Sequence, residues 1–214
     1  RKRKRMSNLR ARLEAIFSRF PQMRVLMAGD FFIDQYLQLE RRYSETSLET
    51  GLEAYQVTGI TNSLGAAGTV ANNLCAMEAQ VLALTMRGAD ANGYVMQQLM
   101  ALQGIEMQYV VSHEAIFTPT YIKPMMLGID GRRHELNRMD IKNRQIVPAV
   151  VEAVLMQHLR TAIEQVDVIL VTDQVPEANC GVLTNQIRAQ LAELGLIYPD
   201  LPIWVDSRER GGLF

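Results

Sequence analysis

Cysteine, tryptophan and histidine are all scarce in this chain of 214 residues, which has two Cys, one Trp and three His. Cys75 and Cys180 are too few and too far apart in sequence for a disulfide framework or a zinc-binding cluster. None of the three histidines has a metal-ligand spacing to a partner, so we expect no metal site made by this chain. Two unpaired cysteines suit a reducing compartment, and we expect a cytoplasmic protein.

Long apolar runs are also absent. No stretch of 18 consecutive apolar residues occurs, and the basic first residues are followed by a mixed, charged segment rather than by the apolar core of a secretory signal. We therefore expect neither a transmembrane helix nor a membrane partner. The hydrophobic fraction of 48% is ordinary for a globular protein, and the length suits one domain, with or without an appendage.

The net charge of −1 hides an uneven distribution. Residues 1–24 carry nine Lys or Arg against one acid, Glu14, which leaves 13 basic and 22 acidic residues in the remainder. A basic head could contact nucleic acid or anionic lipid, but we favour a disordered, solvated tail ahead of a helix over residues 7–20 that Ser7 caps. The acidic remainder argues against a nucleic-acid partner.

Strands and helices alternate through the rest of the chain. Apolar strands are predicted at 23–29, 80–87, 106–111, 166–173 and 202–206, and helices at 66–77, 93–104, 148–165 and 182–195. This alternation predicts a mainly parallel sheet with helices on both faces. We therefore divide the chain into a tail and helix at 1–22 and an α/β domain at 23–214.

Two segments interrupt the alternation and are richer in β-strand patterns. They cover about 37–62 and 118–138, and the second carries Asp130–Gly131 between two apolar runs, which is a hairpin signal. In open α/β sheets, ligands bind beyond the carboxyl ends of the parallel strands. We expect the two segments to form a small β-sheet lid over that edge.

Two aspartates follow the first predicted strand, in the stretch "VLMAGDFFIDQY" of residues 25–36. Gly29 permits a tight turn, and Asp30 and Asp34 could accept hydrogen bonds from the hydroxyl groups of a ligand. The alternative is that Asp30 holds local backbone and that Asp34 is a solvated loop residue. The pattern alone leaves both interpretations open.

Three further stretches carry small or charged residues in suggestive places. In "LGAAGTVANNL" (64–74), small residues at a helix start could bring backbone N–H groups close to a ligand, or could serve tight packing. In "RGADANG" (87–93) we expect Asp90 or Asn92 to cap a helix. In "HELNRMD" (134–140), Arg138 could bind a phosphate or form a solvated pair with Asp140.

Together these stretches resemble the ribokinase/PfkB family of carbohydrate kinases, and most closely its heptose-phosphate kinase branch, the kinase half of ADP-heptose synthase. The matching stretches, in chain order, are "GDFFIDQY", "LGAAGTVANNL", "RGADANG", "TPTYIKPMM", "NRMD", "VILVTDQ" and "WVDSRER". They cover roughly residues 10–210. The resemblance implies an α/β fold of the ribokinase type, a three-layer α/β/α sandwich with a mainly parallel sheet and a small β-sheet lid.

The resemblance implies a transferase that moves the γ-phosphoryl group of ATP, accompanied by Mg²⁺, to a hydroxyl of a sugar or sugar phosphate. It also implies a homodimer formed through the lid. The residues that it implies for sugar binding are Asp34, Gly65, Ala66, Lys123 and Arg138, while Asp206 would lie near the phosphates of ATP.

The chain departs from the family pattern at several positions. Thr69 stands where the family has a sugar-contacting Asn, Ala66 stands where it has a second Gly, and Asn73 is close enough to compensate. The segment "QVPEANCG" (174–181) replaces the "YxKG" of the heptose branch, which weakens a prediction of heptose specificity.

The catalytic base of the family lies in a Gly-Ala-Gly-Asp element, and this sequence has none. We therefore expect the base beyond Phe214 and the 214 residues to be the sugar-binding portion of a kinase, inactive alone. The competing interpretation is a catalytically degenerate module of the same fold that binds a sugar or a partner.

Overall fold

The computed structural model of the protein describes the backbone of residues 2–213 and the side chains of residues 9–213. The helices are α1 (Lys2–Phe17), α2 (Ala67–Ala76), α3 (Ala91–Leu102), α4 (Ala149–Ala162) and α5 (Asn185–Ile197). The strands are β1 (Arg24–Gly29), β2 (Phe31–Glu40), β3 (Glu45–Thr46), β4 (Glu53–Ala54), β5 (Val57–Ala66), β6 (Gln80–Gly88), β7 (Glu106–His113), β8 (Thr120–Leu127), β9 (Arg133–Glu135), β10 (Met139–Ile141), β11 (Val168–Asp173) and β12 (Ile203–Ser207).

Five parallel strands form the main sheet, in the order β12-β11-β1-β6-β7. Its central strands are continuously apolar because both faces are covered, as the alternating sequence pattern predicted. Helices α4 and α5 pack on one face through Leu155, Leu159 and Ile187. Helices α2 and α3 pack on the other through Ala71, Met96 and neighbouring side chains. The three-layer α/β sandwich is confirmed.

A second sheet of mixed direction forms the lid, in the order β10-β8-β2-β5, with β9 paired to the free part of β8. Strands β2 and β8 are parallel, and the other pairs are antiparallel. The predicted hairpin is present, with Gly131 at φ 74° in the turn between β8 and β9. The lid strands reach beyond the segments 37–62 and 118–138, because β2 starts directly after β1 and β5 runs into α2.

The first helix begins at Lys2, earlier than predicted, so it includes most of the residues for which a disordered tail was expected. Ser7 lies inside the helix rather than at its start. The side chains of the first eight residues lie outside the described part of the chain. Leu9, Leu13 and Ile16, which helical spacing places along one side of this helix, are between 43% and 58% exposed.

Gly29 makes the junction between the two sheets possible. Its φ of +148° is a conformation that favours glycine, and a Cβ built on it would lie 2.2 Å from the carbonyl oxygen of Thr172 in β11. The chain can therefore leave the main sheet and enter the lid with only Asp30 between β1 and β2.

We expect Gly29→Ala to lower the free energy of unfolding by roughly 3 kcal/mol or more, since the added methyl group combines backbone strain with a clash against backbone. Urea denaturation measures this change. Gly211→Ala is the matched control, because nothing lies within 4 Å of a Cβ built at Gly211. Equal denaturation midpoints for the two variants would contradict the assignment of Gly29.

Candidate functional site

Four polar or aromatic side chains share one face of the lid. Asp34 in β2 lies beside Tyr121 in β8, and Tyr36 lies beside Lys123 two residues further along both strands. Side chains alternate between the two faces of a sheet, so these four project on the same side. Asp34 is therefore a strand residue of the lid and not the loop residue that the sequence pattern left as one possibility.

Asp34 and Lys123 are in direct contact. The Nζ atom of Lys123 lies 2.7 Å from Oδ1 of Asp34, and the two side chains are only 18% and 23% exposed. The same Nζ lies 3.3 Å from the Tyr36 hydroxyl and 4.9 Å from the centre of its ring. Burial by itself lowers the pKa of Lys123, but the hydrogen bonds with Asp34 and Tyr36 outweigh it and raise that pKa. Lys123 is thus positively charged at neutral pH.

Gly65 provides the surface on which the Asp34 carboxylate lies. A Cβ built at Gly65 would be 2.7 Å from Oδ2 of Asp34, so any side chain there would displace the carboxylate. The structure therefore brings together three of the residues predicted for sugar binding, namely Asp34, Gly65 and Lys123.

Ala66 follows Gly65 and is the N-cap of helix α2, in a strained conformation. Its φ of 51° and ψ of −121° are favoured by glycine and cost other residues about 1–3 kcal/mol. The family glycine that Ala66 replaces would adopt this conformation without strain. Ala66 thus has the backbone conformation expected of a glycine, at a cost in conformational energy.

Thr69 and Asn73 lie in the first two turns of α2, on exposed positions. The Thr69 hydroxyl donates to the carbonyl oxygen of Leu64 at 3.2 Å. A hydroxyl has a single proton to donate, so Thr69 can offer a ligand only acceptor capacity while this bond persists.

Arg138 is joined to the site through Tyr121. It donates two hydrogen bonds to Asp140, at 2.7 and 2.9 Å, and its guanidinium lies 4.7 Å from the centre of the Tyr121 ring. Lys142 lies 5.5 Å from the same ring centre. The predicted pair with Asp140 is present, and it places positive charge beside the aromatic residue that neighbours Asp34.

Asp30 holds local backbone, which was one of the two interpretations of the sequence pattern. It is 4% exposed, and its carboxylate accepts hydrogen bonds from the backbone N–H groups of Val182, at 2.7 Å, and Gln174, at 3.3 Å. Burial raises its pKa to about 6, against the lowering effect of these N–H groups and with a small contribution from Asp173. Asp30 therefore anchors the loop 174–182 to the end of β1.

Asp206 lies at the carboxyl end of β12, near that loop. It is exposed, and its carboxylate accepts a hydrogen bond of 3.4 Å from the side chain of Gln174. The adjacent Asp173 is 3% exposed and is held by Ser207, at 2.8 Å, and by Arg210, at 3.5 Å. Asp206 is thus the more accessible of these two carboxylates, but it does not contact the residues around Asp34.

The "RGADANG" stretch stabilises the start of helix α3. Asp90 is the N-cap of α3, as predicted, and accepts from the N–H of Gly93 at 2.6 Å. It also accepts from the backbone and the hydroxyl of Thr118, at 2.9 and 2.7 Å. These bonds outweigh burial, which would raise its pKa, and the pKa of Asp90 is lowered. The motif ties α3 to the segment that leads into lid strand β8.

Sequence reasoning missed Tyr36 and Tyr121 as residues of the site. Tyr36 could have been found from its position two residues after Asp34, because that spacing places both on one face of a strand. Tyr121 and Lys123 show the same spacing in "TYIKPMM". The role of Arg210 in holding the loop carbonyls of Val175 and Pro176 had no signal in the sequence.

The raised pKa of Asp30 predicts a pH dependence of stability. The folded protein holds this proton more tightly than the unfolded chain does, so the contribution is fully present below pH 4 and is lost as pH rises through about 6. We expect the free energy of unfolding of wild type, relative to Asp30→Asn, to fall by on the order of 2–3 kcal/mol between pH 4 and pH 7.

Urea denaturation of both proteins at intervals across this range measures the difference. The Asp30→Asn variant is itself the matched control, since it keeps one acceptor oxygen and lacks the titrating group. A difference between the two proteins that stays constant with pH would rule out the buried, titrating Asp30.

Comparisons with known proteins identify relatives in sequence and neighbours in fold. No family model matches the chain. The bifunctional protein HldE of Trichlorobacter lovleyi is 27% identical over 204 residues, a similarity that covers 93% of this chain and 38% of that protein. The chain thus spans well under half the length of this curated relative.

Two solved structures share the fold. The phosphofructokinase-2 from Escherichia coli in complex with fructose-6-phosphate has a TM-score of 0.55 and 14% identity, with 86% of this chain and 54% of that chain covered. The ribokinase of Arabidopsis thaliana complexed with ribose and ATP has a TM-score of 0.50 and 18% identity, with 86% and 53% covered. The resemblance to ribokinase-type carbohydrate kinases, with HldE proteins among the relatives, is confirmed.

None of the helices in the described part of the chain is long and apolar enough to cross a membrane. Among the same residues, no group of three or more His, Cys, Asp or Glu side chains is arranged to hold a metal ion.

Proposed function

We propose that this chain is the sugar-binding portion of an ATP-dependent carbohydrate kinase, which transfers the γ-phosphoryl group to a hydroxyl of a sugar or sugar phosphate. The observation that carries the proposal is the Asp34 carboxylate, held by Lys123 and laid against Gly65 on one face of the lid. A fixed carboxylate of this kind accepts hydrogen bonds from hydroxyl groups, and the relatives with this fold include sugar kinases.

Each residue of the site has a defined task in this proposal. Asp34 orients the sugar by accepting from its hydroxyls, and Lys123 holds the Asp34 carboxylate in place. The backbone of Gly65 and Ala66, with Thr69 and Asn73 beyond it, lines the sugar from the start of α2. Arg138 adds positive charge that suits a phosphate on the substrate.

ATP would lie toward the carboxyl end of β12, where the exposed Asp206 fits a position near its phosphates. Bound ATP supplies the phosphoryl group, and Mg²⁺ would be held mainly by phosphates and water, as Mg²⁺ prefers. We assign the catalytic base to no residue of this chain. The cytoplasm, where ATP is made and cysteines stay reduced, is the proposed location.

A second candidate function is a module that binds a sugar without phosphorylating it. Thr69 favours this alternative, because its one proton is used on Leu64 and a sugar-binding amide of the family is thereby replaced by an acceptor. The strain at Ala66 also favours the binding module, because Ala66 stands at this turn where the family has a glycine.

We expect Asp34→Ala to weaken sugar binding at least tenfold, because a charged hydrogen-bond acceptor is worth about 1.5–3 kcal/mol. Thermal stabilisation of the protein by D-ribose, D-fructose 6-phosphate and a heptose phosphate measures this. Asp130→Ala is the control, since Asp130 is a lid carboxylate paired with His134 away from Asp34. A variant at Asp34 that still responds like wild type would show that the site lies elsewhere.

ADP release separates the two candidate functions. Release that depends on one of these sugars, measured on the full-length protein, supports the kinase. Stabilisation by a sugar without any ADP release supports the binding module.

We also propose that two copies associate through their lids. Strand β5 is an edge of the lid sheet, and Val57 and Ile60 on it are 48% and 60% exposed. Leu48 and Leu52 on the neighbouring β3–β4 hairpin are more exposed still. Apolar side chains along an open strand edge suit a partner strand or sheet.

Light scattering tests this association. We expect wild type to be a dimer and Ile60→Glu to be a monomer, because the substitution places a charge in the apolar contact. Leu196→Glu, on the exposed side of α5, is the control. A monomeric wild type, or an Ile60→Glu variant that stays dimeric, would contradict association through this edge.

A further inference from the structure

A small cavity lies at the junction of the lid and the main sheet. Its walls include the aromatic rings of Phe32 and Tyr121, the buried Asp30, and Glu177 and Cys180 of the loop 174–182. Its volume of about 20 Å³ is enough for one water molecule or one hydroxyl group. The cavity is therefore sized for a single functional group of a larger ligand.

The cavity borders the side of the lid that carries Asp34, although Asp34 itself is not one of its lining residues. Phe32 precedes Asp34 by two residues in β2 and so projects on the same side, and Tyr121 is the direct neighbour of Asp34 in β8. The rings of Phe32 and Tyr121 meet edge to face, with their centres 5.2 Å apart. A ligand held by Asp34 can therefore extend one group along this wall into the cavity.

Glu177 offers an unused acceptor at this place. Its Oε1 accepts a hydrogen bond of 3.0 Å from Arg144. Its Oε2 is buried and has no hydrogen-bond partner among the residues that the structure describes. A buried carboxylate oxygen is costly to leave unpaired. Because Glu177 lines the cavity, a donor seated there would satisfy this oxygen.

The loop holds Glu177 in a fixed place. Asp30 binds the N–H groups at both ends of the loop, and Arg210 donates at 2.9 Å to the carbonyl of Val175 and also to that of Pro176. Asn179 accepts through its backbone from Val147 at 2.8 Å. A pre-organised acceptor of this kind discriminates between ligands better than a mobile one does.

The size of the cavity and the charges around it decide which donor fits. Arg144 already neutralises Glu177, and Asp30 and Lys142 add a carboxyl group and an ammonium group to the wall. A phosphate is too large for a cavity of about 20 Å³, so it belongs at the other end of the ligand, near Arg138. A neutral hydroxyl satisfies Oε2 without adding charge.

Resting on the proposed function, we propose that Glu177 is a further substrate-binding residue whose Oε2 accepts a hydrogen bond from one hydroxyl of the acceptor sugar, seated in this cavity. The residue thereby selects sugars that carry a hydroxyl at that position and rejects analogues that lack it. Glu177 lies within the segment "QVPEANCG", so this selectivity belongs to the part of the chain that departs from the heptose branch.

The test compares Glu177→Met with Arg144→Met. Methionine keeps the length of the glutamate side chain but removes the acceptor, whereas Arg144→Met removes the same ion pair and leaves the carboxylate. Affinities of both variants and of wild type are measured by calorimetry for D-ribose, D-fructose 6-phosphate and a heptose phosphate, and for monodeoxy analogues of whichever sugar binds most tightly.

We expect Glu177→Met to bind that sugar at least tenfold more weakly and Arg144→Met to stay within about threefold of wild type. We also expect wild type to bind one monodeoxy analogue at least tenfold more weakly than it binds the parent sugar. The Glu177→Met variant should bind that analogue and the parent sugar with equal affinity. Equal losses in both variants would show that Glu177 only holds the loop, and would overturn the proposal.

The Asp34→Ala variant separates this inference from the function on which it rests. Binding that is lost in Asp34→Ala but unchanged in Glu177→Met overturns the role of Glu177 and leaves the sugar site standing. If none of the sugars binds wild type, the proposed function fails and the role of Glu177 fails with it.

Discussion

Every polar group of Asp30 is bonded to a different part of the molecule. Its backbone N–H donates to Thr172 in β11, its carbonyl accepts from Ala67 at the start of α2, and its carboxylate holds the N–H groups of Gln174 and Val182. Asp30 is also the single residue between β1 of the main sheet and β2 of the lid. The position of the lid, of the small-residue turn and of the loop 174–182 therefore depends on this one buried acid.

The junction at Asp30 fixes the geometry of the lid. Because β2 leaves the main sheet directly after Asp30, the side of β2 that carries Phe32, Asp34 and Tyr36 is fixed relative to the sheet edge. Strand β8 pairs in parallel with β2 and brings Tyr121 and Lys123 to the same side. The ion pair between Asp34 and Lys123 is thus a consequence of register, and its partners are 89 positions apart in the sequence.

The departures from the family pattern fall in two places with different consequences. At the turn before α2, Ala66 has a strained backbone conformation that glycine would adopt without strain. The Thr69 hydroxyl in α2 donates its proton to the carbonyl oxygen of Leu64. In the loop after β11, Asp30 and Arg210 hold a new sequence firmly and expose Glu177 to the cavity. Under the proposed function, the first changes weaken a sugar contact, whereas the second adds a hydrogen-bond acceptor.

The sequence by itself determined the layers, because apolar periodicity and Gly or Pro boundaries depend on residues close together in the chain. Asp34, Gly65 and Lys123 became candidates for sugar binding through the resemblance of their motifs to the ribokinase/PfkB family. Only the tertiary structure decided that Asp34 meets both Lys123 and Gly65, and that Asp30 binds a loop 144 and 152 residues away. It also decided that one oxygen of Glu177 is buried with no hydrogen-bond partner in the described part of the chain. Contacts between distant segments depend on strand register and burial, and no local pattern encodes either of them.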